Sequence, residues 1–187
     1  MSETQPQGNY QVRFDWGVAG FQALASGADV VVLADALPPA RSAEAPAGAP
    51  TSLSGHRVIR AHLGNRAAVA EWVLARQTET GARFSVAVIA IGEQRLDGSA
   101  RWAMEDLLVA GAVVDALTEL GIDHCSPEAA AASAGFVGLK RALRHLLSAS
   151  ETGQALAAAG HSDAVTAGVV LDDSREVHEV GEFAFPA

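Results

Sequence analysis

One cysteine in 187 residues, Cys125, excludes an internal disulfide and a zinc site built from cysteines alone. Cys125 also has no identifiable base partner in sequence, so it reads as a small apolar side chain before it reads as a nucleophile. No apolar run approaches the ~18 residues that a helix needs to cross a bilayer, and no membrane partner is expected. The start, Met1–Gly8, lacks the basic and apolar stretches of a secretory leader, so a cytoplasmic location is expected. Basic charge is scarce: 13 Lys and Arg against 22 Asp and Glu give a net charge of −9. No nucleic-acid partner is expected of such a chain, because phosphate contacts need a basic face. The same excess of acid obliges any phosphate site to carry a cation or a local arginine cluster. The six histidines are scattered without metal-type spacing. There is no internal repeat, no Gly-x-Ser-x-Gly elbow, no Walker loop and no dinucleotide glycine fingerprint.

What is present is an ordinary globular composition, 49% hydrophobic and 19% charged, long enough for one domain with a sizeable core. Residues 1–8 read as a disordered polar tail and residues 9–187 as a single domain. Tyr10–Phe14 alternates like a strand, a short helix is expected over Val18–Ala25, and Val30–Ala34 is apolar on both faces, as in a central parallel strand. From Ala36 to Gly55 the chain turns Pro- and Ala-rich without periodicity, which predicts a flexible connection. Strands are then expected at His56–Leu63 and Phe84–Ile91, with a helix at Asn65–Arg76 between them. A helix after Ser99 should bury a stripe of Met104, Leu107, Leu108, Gly111 and Val114. Pro127 suits a first helical turn. Helices are expected over Phe136–Leu147 and Glu151–Ala159, with Ser150 as N-cap and Gly160 as the stop. Val169–Leu171 and Val177–Val180 read as late strands. Alternating strands and helices predict an α/β fold, a mostly parallel sheet with helices on both faces.

In such sheets ligands sit beyond the carboxyl ends of the strands. Asp35 ends one apolar strand, and Gly92-Glu93 follows another. Arg95 and Arg101 lie in the loop after it, and Glu105 and Asp106 are adjacent carboxylates at a helix start. Each has a plainer reading. Asp35 can simply start a turn. Glu105 and Asp106 can oppose the positive end of the helix macrodipole, and Arg101 can pair with Glu105 four residues on, a surface pair worth a few tenths of a kcal/mol. Adjacent helical residues point roughly 100° apart, so one of the two carboxylates could hold a metal while the other orients water or a basic side chain. Asn65 opens a helix as a cap, a position compatible with anion binding. Asp15 also follows a strand.

Gly92-Glu93, Asp97-Gly98-Ser99, Arg101, Glu105-Asp106-Leu107-Leu108 and Ala110-Gly111-Ala112, ahead of an apolar helix, resemble the 2-phosphosulfolactate phosphatase family. The resemblance continues through Asp123–Ala129, Ser150–Leu156, Asp163-Ala164-Val165 and Glu176–Val180, and runs in order from about Val58 onward. It implies a magnesium-dependent phosphatase that removes phosphate from 2-phospho-3-sulfolactate on the route to coenzyme M. The partner it implies is a small phosphorylated acid. It implies Asp35, Glu105 and Asp106 as catalytic and Mg²⁺-binding residues, and Asn65, Glu93, Arg95 and Arg101 as substrate-binding residues. Gly153 and Asp163 also match family positions, with Gln154 where the family has a basic residue. The chain departs from the family between Asp35 and Asn65, where a hydroxyl-rich segment and an Asn-Gly turn are replaced by the Pro- and Ala-rich stretch. Two readings follow: a phosphatase, or a catalytically degenerate homologue serving as a binding or structural module, with a homodimer covering the surface that the shorter segment exposes.

Overall fold

Val30–Ala34 forms β2, five apolar residues buried on both faces. In the computed structural model, which describes residues 5–38, 51–95 and 99–185, this strand lies at the centre of the main sheet. β1 (Val12–Trp16), β5 (Val86–Ala90) and β4 (Val58–Ala61) run parallel to it, and β8 (His178–Glu179) closes one edge antiparallel, in the order β1-β5-β2-β4-β8. Two short ribbons accompany the sheet: β3 (Thr51–Ser52) with β9 (Glu182–Phe183), and β6 (Glu93–Gln94) with β7 (Ala100–Arg101). The fold is α/β with a mostly parallel sheet, as the alternation of elements predicts.

The period of two in the strands divides the core. Val12, Phe14, Val30, Val32, Val86 and Val88 face α2 (Arg66–Thr80), α3 (Met104–Glu119), α4 (Pro127–Leu139) and the short helices α5 (Leu143–Ala149), α6 (Glu151–Ala158) and α7 (Ser162–Gly168). Val31, Leu33, Ala87 and Ile89 face the other way, against Phe21 and Leu24 of α1 (Gly17–Leu24), Leu53 and Phe185. Helices therefore cover both faces, with one layer much thicker than the other. α3 is buried almost all round, at eleven of its 16 residues. Its Ala110-Gly111-Ala112 step lets α4 come close: a β-carbon on Gly111 would lie 2.2 Å from the Ala132 carbonyl oxygen.

The outer edge of β1 is covered piecewise. The Gln7 carboxamide accepts the Phe14 N–H at 3.1 Å and donates to the Phe14 carbonyl at 2.9 Å, as a neighbouring strand would. The Ser126 N–H donates to the Val12 carbonyl at 2.8 Å. Residues 5–8, expected to belong to a disordered tail, are instead turned in against the sheet, while residues 1–4 lie outside the described residues.

Other expectations need correction. The stretch 36–55 is not wholly a connection: Ala36, Leu37 and Leu53 are buried and Thr51–Ser52 pairs with the C-terminal ribbon, while 39–50 lie outside the described residues. Met104 is 50% exposed, because the stripe begins one turn later, at Leu108. Phe136–Leu147 is broken by a 3-10 turn at Lys140–Ala142. Val169–Leu171 is not a strand; Val169 caps α7 and the chain turns at Asp172, whose φ is 56°. Ser126 and Ser150 do cap α4 and α6, accepting the N–H groups of Ala129 and Gly153. Among the described residues no helix is long and apolar enough to cross a membrane.

Candidate functional site

The parallel strands β2 and β5 end side by side, and the chain leaving each passes the start of α3. There Asp106, 4% exposed, joins the two ends. Its Oδ1 accepts the Ala36 N–H at 2.9 Å and its Oδ2 accepts the Gly92 N–H at 3.0 Å. Gly92 is suited to this place: its φ is +74°, and a β-carbon would meet the Arg101 carbonyl oxygen at 2.9 Å. Burial pushes the Asp106 carboxyl up to about 8, against the pull of the Ala36 N–H; Glu105 adds to the rise.

Glu105, 2% exposed, points elsewhere, as neighbours on a helix must. Its Oε1 accepts from Arg101 Nη2 at 2.8 Å, and the same nitrogen donates to Thr152 Oγ1 at 2.7 Å. Arg101 Nε lies 3.7 Å from Glu151. Burial alone would lower the Arg101 pKa, but the hydrogen bond and charge of Glu105 outweigh it and hold it above its ordinary value. Glu105 Oε2 is buried without a hydrogen-bond partner. Asp35, 7% exposed, pairs with Arg60 of β4.

These groups surround a cavity of about 290 Å³. Asp35, Arg60, Glu93, Glu105, Asp106 and Thr152 supply its polar lining, and Leu37, Ile91, Ala103, Phe183 and Ala184 its apolar lining. Of the residues singled out in sequence, Asp35, Glu93, Glu105 and Asp106 come together here, with Arg101 behind them holding Glu105. Arg95 does not line the cavity; it is exposed and its Nη1 donates to the Ala100 carbonyl at 3.1 Å. Asn65 does not line it either; it stands at the N-cap position of α2, as expected, but its side chain makes no capping hydrogen bond to that helix. It is buried in the 3-10 turn Leu63–Asn65, accepting the His62 N–H at 2.8 Å and donating to the carbonyls of Arg60 and Glu176. Asp15 accepts the N–H of Trp16 beside it. Gly153 sits where a β-carbon would strike the Leu147 carbonyl, and Asp163 lies in the first turn of α7. Burial pushes the Cys125 thiol up, away from the reactive thiolate.

Sequence reasoning missed Arg60, Thr152 and Phe183. Arg60 had a signal, as the single charged residue in the buried strand Val58–Ala61; Thr152 had only its place in the Ser150–Leu156 stretch that resembles the family, and Phe183 had none.

A hard cation such as Mg²⁺ takes one or two carboxylates together with water and phosphate oxygens. Among the described residues no group of three or more His, Cys, Asp or Glu could hold a metal ion. The smaller requirement is met: Glu105 Oε2 is an unpartnered carboxylate oxygen, and the lining sets four carboxyls against one guanidinium. Asp106, with an oxygen on each of the Ala36 and Gly92 N–H groups, holds the two strand ends together.

No curated protein matches the chain. The family model of 2-phosphosulpholactate phosphatase matches residues 47–182, a span that contains β3 to β8, the first residue of β9 and every polar residue of the cavity lining except Asp35.

Proposed function

The chain belongs to the 2-phosphosulpholactate phosphatase family, and on that premise we propose that it is a Mg²⁺-dependent hydrolase of a small phosphomonoester, acting in the cavity at the ends of β2 and β5. The observation that carries this reading is Glu105 Oε2, an oxygen withdrawn from water with no donor facing it. A buried carboxylate oxygen is costly until a cation or donor reaches it. A phosphate dianion entering a lining of four carboxyls and one guanidinium needs the same cation.

Glu105 and Asp35 are the residues that would hold the ion. When bound, it supplies charge neutralisation at the phosphate and at the leaving oxygen. Arg101 and Thr152 keep Glu105 oriented. Arg60, with its side chain 45% exposed beside Asp35, is the guanidinium able to turn to a phosphate oxygen. In the net reaction a water oxygen bonds to phosphorus and the ester P–O bond breaks. The alcohol leaves with a proton, and inorganic phosphate remains.

The test is phosphate release from 2-phospho-3-sulfolactate, the family's reference compound, and from a panel of small phosphomonoesters, with MgCl₂ and with EDTA. Turnover that needs magnesium and is abolished in Glu105→Gln and Asp35→Asn is expected. A folded protein with no turnover above background on any ester would overturn the reading.

A further inference from the structure

We propose that Phe185 is a positioning residue: it anchors the ribbon that holds Phe183 against the cavity, and so sets the affinity for the ester without touching it. This rests on the phosphatase reading above. Phe183 and Ala184 line the cavity, and the segment that delivers them first runs along β4. The Asp172 and Ser174 N–H groups donate to the carbonyls of Leu63 and Gly64 at 3.3 and 2.9 Å, and the Val180 N–H donates to the Val58 carbonyl at 2.8 Å. Asn65 Nδ2 donates to the Glu176 carbonyl at 3.0 Å, and β8 pairs His178 and Glu179 with Arg60 and Ile59. As far as Val180 the segment is tied down at close intervals.

Beyond Gly181 the backbone hold is slighter. β9 meets β3 over two residue pairs, Glu182 with Ser52 and Phe183 with Thr51, and a two-stranded ribbon is marginal by itself. Phe185 supplies the anchor. It is 3% exposed, in the core layer of Phe21, Leu53 and Ile89. Its ring lies 5.7 Å from that of Phe21 and meets the Phe183 ring edge-on at 5.0 Å, an arrangement that aromatic pairs favour. The groups assigned to the ion and the phosphate stand elsewhere: Asp35 beyond β2, Arg60 on β4 and Glu105 on α3. A wall that touches the unreacting half of an ester makes the same contact before and during P–O cleavage. Its loss raises KM and leaves kcat, as for any uniform binding interaction.

The experiment is a double-mutant cycle on the full chain in MgCl₂, using the phosphomonoester that the wild type turns over best. Phe183→Ala is expected to raise KM at least fivefold with kcat within twofold of the wild type. Phe185→Ala should do the same, and Phe185→Leu should restore KM. Phe183→Ala/Phe185→Ala should raise KM no further than Phe183→Ala does, because the anchor acts through the ring it holds. Should Phe185→Ala fail to fold, Phe185→Val takes its place in the cycle. A purely structural role would lower the folded fraction, and with it the apparent kcat, at unchanged KM. That outcome, or KM factors that multiply in the double variant, overturns this proposal and leaves the phosphatase intact. Absence of metal-dependent release from every ester overturns the phosphatase reading, and this proposal with it.

Discussion

Arg101 and Glu105, one helical turn apart in sequence, meet at 2.8 Å with side chains only 7% and 2% exposed. A surface pair at this spacing is worth a few tenths of a kcal/mol, but removing one member of a buried pair strands the other. Arg101→Met is expected to cost about 3–5 kcal/mol, read from urea unfolding. The double variant Arg101→Met/Glu105→Met should recover most of that loss. A single variant as stable as the wild type would mean that Glu105 finds another partner.

Asp106 makes stability depend on pH. Its carboxyl titrates at about 8 in the fold against 3.8 as the ordinary value, so between about pH 4 and about pH 8 the folded chain holds a proton that the unfolded chain has released. Stability from this group is fully present below the unfolded value and is lost as pH rises through the folded one, by at most about 1.4 kcal/mol per pH unit. Asp106→Asn should cost about 1 kcal/mol at pH 4 through one lost backbone hydrogen bond. It should also flatten the slope between pH 4 and 8. Urea midpoints measured across that range check both, and an unchanged slope would assign the pH dependence elsewhere.

Two glycines in neighbouring helices should respond with opposite sign. Gly111→Ala puts a methyl 2.2 Å from the Ala132 carbonyl oxygen and 2.9 Å from the Phe136 β-carbon. α3 and α4 must separate, at a cost of about 1–3 kcal/mol. Gly135→Ala in α4 meets nothing within 4 Å and should gain about 0.4–1 kcal/mol by restricting the unfolded chain. Thermal melts of the two variants would separate close packing from helix propensity.

Gln7→Ala removes the carboxamide that stands in for a strand beside Phe14. Exposed strand edges invite pairing with another chain. The variant should scatter light at lower concentration than the wild type while keeping its far-UV spectrum. Equal scattering would mean that the rest of the edge cover suffices.

Much of the fold could be read from local pattern. Val30–Ala34 is found residue for residue, because five apolar side chains bounded by Asp29 and Asp35 suit only a strand buried on both faces. Ser126 and Ser150 were legible because an N-cap is a local interaction. Three apolar residues, Val169–Leu171, were too short a run to distinguish a strand from the end of α7. Site residues were legible where they follow a strand or open a helix, as Asp35, Glu93, Glu105 and Asp106 do. Thr152 and Phe183 reach the cavity from α6 and from the last ribbon, and nothing in their neighbours announces a contact with residues 50 or more positions away. Asn65 was legible in position but not in its partners: it stands at the N-cap of α2, as its residue type suggests, while its carboxamide serves three backbone groups outside that helix.

Phe14 and Val32 are both in register with Val88, so β1 and β2 never touch although only a short helix and turn separate them in sequence. β5 must be threaded between them. While the chain is being made, its first two strands have no native partner in each other. Each must wait for the ribosome to deliver a segment beyond residue 85 before the sheet can zip. Non-local pairing of this kind slows folding and lengthens the time for which sticky strands stand open. The cavity is subject to the same delay. The two ends that Asp106 joins are neighbours only after β5 has inserted, so whatever chemistry resides there switches on late in the birth of the molecule.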